Sequence, residues 1–457
     1  MEDNKPVQNP LREIVDPFVN LIKAPRALWG INLSYLLEGI TYFGILSLLA
    51  MYFNDLGLND IQAGQMVGIQ TAGITLAMLF LGATVDWIGV RKALLISLST
   101  MLVGRVLLTL APQTGAPGLW QKAHIVAMLG ILGVVLGYGI YQPACYAAVK
   151  QFTDKKTSAM GYAMLYAIMN LGGFLPGLIS PPIRKNHGIV GVYWVYVALT
   201  VAGILVVAFI LSKKTVEMAI ANAREGQDEP VSEPETTETQ STKEKIVYYL
   251  KNFPIKDGRF MFFIFILIPV QTLFAHNWLT LPMYFERAFS GVVSNNFEFF
   301  VNFNPILIFI LAPMVAALTA QKDTYKMMIL GTTVMALPTF LLAIGPNIYS
   351  VFGYLIIMTI GEAIWQPRFL QWVAEIAPKN MTGIYMGIGQ FPWFLTKVIT
   401  SLYSGWFLTK YCPAGVTPEQ TNTETMWLIY GFIAIISPIA LLIARKWMGK
   451  GLEKQKA

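Results

Sequence analysis

Apolar stretches of about 20 residues, the length a helix needs to cross a bilayer, recur along the whole chain and are separated by short polar breaks rich in glycine and proline. Helix punctuation places spans at 28–53, 62–84, 92–112, 124–149, 158–181 and 189–212, and again at 259–285, 298–321, 326–345, 348–374, 382–409 and 426–445. The two groups of six are separated by residues 213–258. That segment starts with Lys213 and Lys214 and becomes the polar tract REGQDEPVSEPETTETQSTKEK, which is too poor in apolar residues to fold alone. The pattern predicts an all-α membrane protein with twelve transmembrane helices in two six-helix bundles. The predicted parts are an N-terminal segment (1–27), a first bundle (28–212), a linker (213–258), a second bundle (259–445) and a tail (446–457).

Composition agrees with the pattern. Of 457 residues, 55% are hydrophobic and 13% charged, and mean hydropathy is +0.54; a soluble domain carries about 25% charged residues. The formal net charge of +7 has a topological explanation. With both termini on the cytoplasmic side, 25 of the 33 lysines and arginines fall in cytoplasmic segments, and five fall outside: Lys122, Arg184, Lys185, Arg287 and Lys410. That asymmetry fixes orientation and makes nucleic acid the weaker explanation of the charge. The expected setting is a bacterial inner membrane or plasma membrane, with the chain acting as a monomer in the lipid bilayer. The start lacks the basic, apolar and cleavage-site pattern of a secretory leader, so none is expected to be removed. Two cysteines argue against a disulfide framework or a metal site. No phosphate-binding glycine loop is present, which argues against ATP-driven transport by this chain alone. No cofactor is expected, and a proton gradient is the expected driving force.

Charges inside the spans carry the chemistry. Glu38, Arg105, His276, Glu362 and Lys397 lie near mid-depth, and Arg368 lies toward the cytoplasmic end of its helix, where it is expected to reach the headgroups. Four formal charges at mid-depth cost on the order of 10–14 kcal/mol at roughly 2.5–3.5 kcal/mol each, so they must be paired or wet. Either they form buried structural pairs, or they line a polar cavity whose carboxylates take an amine or a proton and whose cations take an anion. Two six-helix halves joined by a cytoplasmic loop suit rocking bundles around a site at the midplane. Two other classes share the plan: a membrane sensor that binds without moving its ligand, and a membrane enzyme, for which no convergent nucleophile set is discernible.

Between the second and third spans, GATVDWIGVRKAL places Gly82, Asp86, Gly89, Arg91 and Lys92 in the spacing G-x-x-x-D-x-x-G-x-R-K. This resembles the signature of the major facilitator superfamily, and the resemblance implies a gating role for Asp86, Arg91 and Lys92. Further stretches resemble one branch, the proton-dependent oligopeptide transporters. EGITYFGILSLLAMYF carries Glu38, Tyr42 and Gly44, in register with the end of the family's E-x-x-E-R-F-x-Y-Y-G. YAIMNLGGF supplies Tyr166, Asn170 and Gly172, NPILIFILAP supplies Asn304 and Pro305, and GEAIWQP supplies Glu362 and Pro367, like the family's G-E-L-x-x-S-P.

The resemblance implies that Glu362 faces the ammonium end of a peptide-like substrate, that Asn304 and Asn170 bond its backbone, and that Glu38 and Glu362 couple protons. Tyr42, Tyr166 and His276 complete the expected substrate-binding set. Four positions depart from the family pattern. Tyr35 stands in place of the first glutamate, Gly39 in place of the arginine, Gln142 in place of a lysine in the fourth helix, and Gln366 in place of the serine. Arg105 and Lys397 are the cations left to compensate, so both join the candidate substrate site. The expected function is proton-coupled symport of a small polar solute such as a di- or tripeptide or a related amine-bearing compound. The alternatives are a proton-coupled exporter of amphipathic compounds and a non-transporting sensor.

Overall fold

Helix ends in this protein follow from capping chemistry written locally in the chain. The computed structural model describes residues 25–82, 84–153, 158–225, 256–319, 322–376, 388–389 and 391–456. The first pass, α1 (Arg26–Asp55), turns into α2 (Asp60–Leu81) through Gly57, whose φ of +81° suits glycine. Asn59 caps α2. Its side chain accepts from the Gln62 N–H at 2.9 Å and the Gln62 side chain accepts from the Asn59 N–H at 3.1 Å, so two orphan donors are satisfied reciprocally. The passes α3 (Val90–Leu110) and α4 (Lys122–Phe152) follow, then α5 (Ser158–Phe174) and α6 (Pro176–Phe209). Within α6, Gly188 has φ 66° and ψ −173°. Residues 176–187 therefore complete the fifth pass and 189–209 form the sixth, so the predicted gap at 182–188 narrows to one glycine.

Two differences from the sequence reading have physical causes. The linker does not start as an unstructured tether, because residues 213–225 form a helix, α7 (Lys213–Glu225). Its Val216, Ala219, Ile220 and Ala223 repeat at helical spacing, and this stripe lies against α4 and α1. The rest of the linker, 226–255, falls outside the described residues. The single span predicted at 259–285 is three helices in line: α8 (Gly258–Ile266), α9 (Ile268–Leu279) and α10 (Leu281–Ala288). Pro269 and Pro282 stand in the first turns of α9 and α10 and carry no N–H to continue the preceding ladder. The Val270 N–H, freed by the first break, donates instead to Ser437 Oγ at 3.0 Å, so this donor keeps a partner at membrane depth.

The remaining passes are α11 (Phe303–Thr319), α12 (Thr324–Ala336), α13 (Ile348–Ile376), α14 (Phe391–Tyr411) and α15 (Thr423–Lys456). Eight stretches among the described residues are long and apolar enough to cross a membrane, and one of them, Met164–Phe209, doubles back at Gly188. With α2, α11 and α14 in their places, the architecture is consistent with twelve passes in two bundles.

Small residues let the helices approach closely, as expected where lipid supplies no hydrophobic drive for helix association. In α3 and α4, a Cβ built at Gly104 would lie 2.6 Å from the Gly130 carbonyl oxygen and 2.7 Å from the Val134 nitrogen. Gly104→Val is expected to cost about 1–3 kcal/mol by overpacking. It should lower the apparent melting temperature of the purified protein in detergent, and an unchanged melting curve would refute the close α3–α4 contact.

Candidate functional site

In the N-terminal bundle, two of the mid-depth charges meet each other. Glu38 of α1 and Arg105 of α3 are 2% and 1% exposed and form a two-pronged ion pair, in which Arg105 Nη1 donates to Oε2 at 2.8 Å and Nη2 donates to Oε1. Thr200 of α6 accepts from Nη1 at 2.6 Å and its hydroxyl donates in turn to the Tyr196 carbonyl. The pair thus joins three helices and leaves Arg105 Nε without a partner. Beside it, Tyr42 stacks on Tyr138 with centroids 4.8 Å apart. Tyr35 stacks on Tyr141 at 6.2 Å. Tyr166 of α5 is 51% exposed, and Asn170 donates to its carbonyl at 2.9 Å.

In the C-terminal bundle, Asn304 of α11 donates from Nδ2 to Glu362 Oε2 of α13 at 2.8 Å and contacts Thr359 Oγ1 at 2.9 Å. Tyr166 lies within electrostatic reach of Glu362 across the gap between bundles. Thus Tyr166, Asn170, Asn304 and Glu362 gather in one place. His276 does not join them. It is fully buried, with Nδ1 2.8 Å from Thr280 Oγ1, Nε2 3.2 Å from the Tyr403 hydroxyl and its ring stacked on Tyr430 at 3.9 Å, so its polar atoms are used inside the bundle. Arg368 is 8% exposed and donates to Thr319 at 3.0 Å. It is therefore held within the protein and does not reach the headgroups as expected. Lys397 of α14 is half-buried, with no hydrogen-bond or ion-pair partner among the described residues.

The bundles close on each other at the face remote from Arg26 and Lys456, here the distal face. Arg287, at the end of α10, grips Asp60 at the start of α2 with bonds of 2.6 and 2.8 Å. Arg184 bonds both carboxylate oxygens of Glu298, one at 3.2 Å, and sits 4.4 Å over the Phe297 ring. Below these latches, a Cβ at Gly68 of α2 would lie 2.6 Å from Ser401 Cβ of α14, and one at Gly173 of α5 would lie 3.1 Å from Pro305 Cγ of α11. Glu362 and Asn304 sit beside the second contact, and Lys397 sits one turn proximal to the first, on the same face of α14. A cavity of about 620 Å³ lies on the other side of the latch, lined by Asn54, Asp55, Glu286 and Arg287 among others. Sequence reasoning read Arg184 and Arg287 only as topology markers and did not single out Asp60 or Glu298.

The three proposed gating residues stay on the first bundle. Arg91 donates from Nε to the Leu211 carbonyl at 2.8 Å and from Nη2 to the Ala208 carbonyl at 3.4 Å, capping the end of α6 where carbonyls are free. Lys92 is exposed, and the side chain of Asp86 lies outside the described residues.

A sequence model of the Major Facilitator Superfamily matches residues 31–401. The chain belongs to the Major Facilitator Superfamily. Within that superfamily, it is 26% identical over 174 residues to the peptide transporter YePEPT of Yersinia enterocolitica, covering 36% of this chain and 32% of that one. It is 24% identical over 197 residues to the dipeptide and tripeptide permease A of Proteus mirabilis, covering 42% and 37%. The matched stretches thus span about a third of these curated relatives. Among solved structures, a peptide transporter POT in complex with sulfate superposes with a TM-score of 0.69 at 18% identity, covering 93% of this chain and 96% of that one. A POT family transporter in complex with 5-aminolevulinic acid gives 0.65 at 16%, covering 93% and 97%. These likenesses show the major facilitator fold.

Removing one partner of a buried pair costs about 3–5 kcal/mol, and here that cost falls on the distally closed state. Asp60→Asn should therefore raise the rate at which a membrane-impermeant maleimide, applied to the distal face, labels a cysteine placed at Ser401. Equal labelling rates with Asp60 and with Asn would refute the latch.

Proposed function

We propose that this chain moves a small polar solute of the di- or tripeptide class, or a related amine-bearing compound, by alternating access in symport with protons. The observation that carries the reading is Glu362, a carboxylate held by the Asn304 amide beside the Gly173–Pro305 contact between the bundles and within electrostatic reach of Tyr166 of the other bundle. In a medium of low dielectric, such a group takes either an ammonium or a proton, since either removes an uncompensated charge. Glu362 is thus the site at which substrate and proton compete or alternate. Tyr166, Asn170 and Asn304 supply hydrogen-bonding groups around it. The peptide transporters with which the chain shares fold and partial sequence support the same class of cargo.

The charge asymmetry of the loops puts both termini in the cytoplasm and the distal face outside. In that orientation the two latches close the outer mouth, and the state described opens inward. Binding shifts such an equilibrium only by its difference in affinity for the two arrangements, so contacts made by the ligand to both bundles drive the switch. Arg91, Lys92 and Asp86 belong to the inner gate of this scheme. The chain works as a monomer in a bacterial inner membrane or plasma membrane, with protons as its only coupling partner.

Proteoliposomes given an inward proton gradient should accumulate radiolabelled alanyl-alanine, and Glu362→Gln should lower the accumulation at least roughly tenfold, as expected for loss of one charge-assisted contact. Accumulation that ignores the gradient, or that survives intact in Glu362→Gln, would remove this carboxylate from the mechanism.

A further inference from the structure

Among the described residues, the N-terminal bundle offers the mid-depth gap no uncompensated charge. Glu38 and Arg105 neutralise each other. Tyr35 and Gln142, standing where the resembling family carries a glutamate and a lysine, are both uncharged side chains. Gly39, in place of the family's arginine, is closed off by α5. A Cβ there would lie 3.3 Å from both the Gly172 Cα and Met169 Sδ, so a longer side chain would have to part α1 from α5.

The C-terminal bundle differs. Glu362 has only neutral partners among the described residues, and Lys397 has none. Ser401, one turn from Lys397 on the same helix face, packs on Gly68 of α2, so Lys397 points toward the gap between bundles just below the level where they close. Pro305, next to Asn304, meets Gly173 of α5 at the corresponding point on the other side. The two unneutralised charges of opposite sign therefore flank the gap from the same bundle, and they form no ion pair with each other.

We propose that both charged ends of the substrate are held by the C-terminal bundle, the ammonium by Glu362 with Asn304 and the carboxylate by Lys397, against a neutral wall of the N-terminal bundle that includes Tyr42 and Tyr166. This rests on the amine-bearing cargo argued above and adds where its acidic end binds. The ligand then bridges the bundles through hydrogen bonds and ring contacts and makes no ion pair to the N-terminal bundle. Arg105, the other mid-depth cation, serves α1, α3 and α6 as a structural counter-ion.

The test compares affinities of alanyl-alanine and of its C-terminal amide, the latter lacking only the carboxylate charge, on the purified full-length protein. Wild type should prefer the free acid by roughly tenfold or more, the worth of one charge-assisted contact. Lys397→Gln should bring the ratio close to one by weakening the free acid alone, Lys397→Arg should restore it, and the double exchange Glu38→Gln with Arg105→Gln should leave the ratio as in wild type. If the double exchange does not fold, the Gln and Arg variants at Lys397 decide alone. A preference that persists in Lys397→Gln overturns the assignment, as does equal binding of both compounds by wild type. Wild type that binds neither compound overturns the dipeptide reading of the function itself.

Discussion

The ion pair between Glu38 and Arg105 sets the terms on which the first bundle is built. Neither charge is tolerable alone in hydrocarbon, where an isolated ion costs several kcal/mol. Together they add little to stability, but each is costly to orphan. Such a pair works as a register key: α1 and α3 can pack only where the two groups meet, and Thr200 brings α6 to the same depth. The glycine contacts of α3 with α4 and of α1 with α5 then follow from the positions this key imposes.

The second bundle meets the same constraint differently. His276 is satisfied by a threonine one turn away and by aromatic neighbours, Arg368 is bonded to the end of α11, and the N–H freed at the first proline break of the seventh pass is covered by Ser437. Glu362 and Lys397, beside the gap between bundles, face no opposite charge among the described residues. A fold that satisfies every structural charge and leaves a few unmet at one depth concentrates its binding energy there, which is what a carrier with a site near the midplane requires.

Much of this was legible in the chain. Apolar length gave the passes and the six-plus-six division, and the cost of charge in lipid drew attention to the residues that define the interior. The partnerships were not legible. Glu38 and Arg105 are 67 positions apart, and nothing in hydropathy says whether a mid-span arginine faces a ligand or a glutamate. His276 shows the intermediate case: Thr280 stands four residues on, a spacing that puts both on one helix face, whereas Tyr403 and Tyr430 come from distant helices. The distal latches were missed because a basic residue near a membrane boundary already has a topological explanation, which hides any second role. The helical start of the linker was missed for a related reason, since its acidic, proline-rich continuation dominated the composition of the segment.

The two latches run in opposite senses. Asp60 of the first bundle faces an arginine of the second, while Arg184 of the first faces a glutamate of the second. Within these two pairs, each bundle therefore contributes one charge of each sign. Once the rims part, mobile ions can take over both halves of each broken pair. The set-point between closed and open rims then depends on the ionic strength of the distal solution, with concentrated salt favouring the open form.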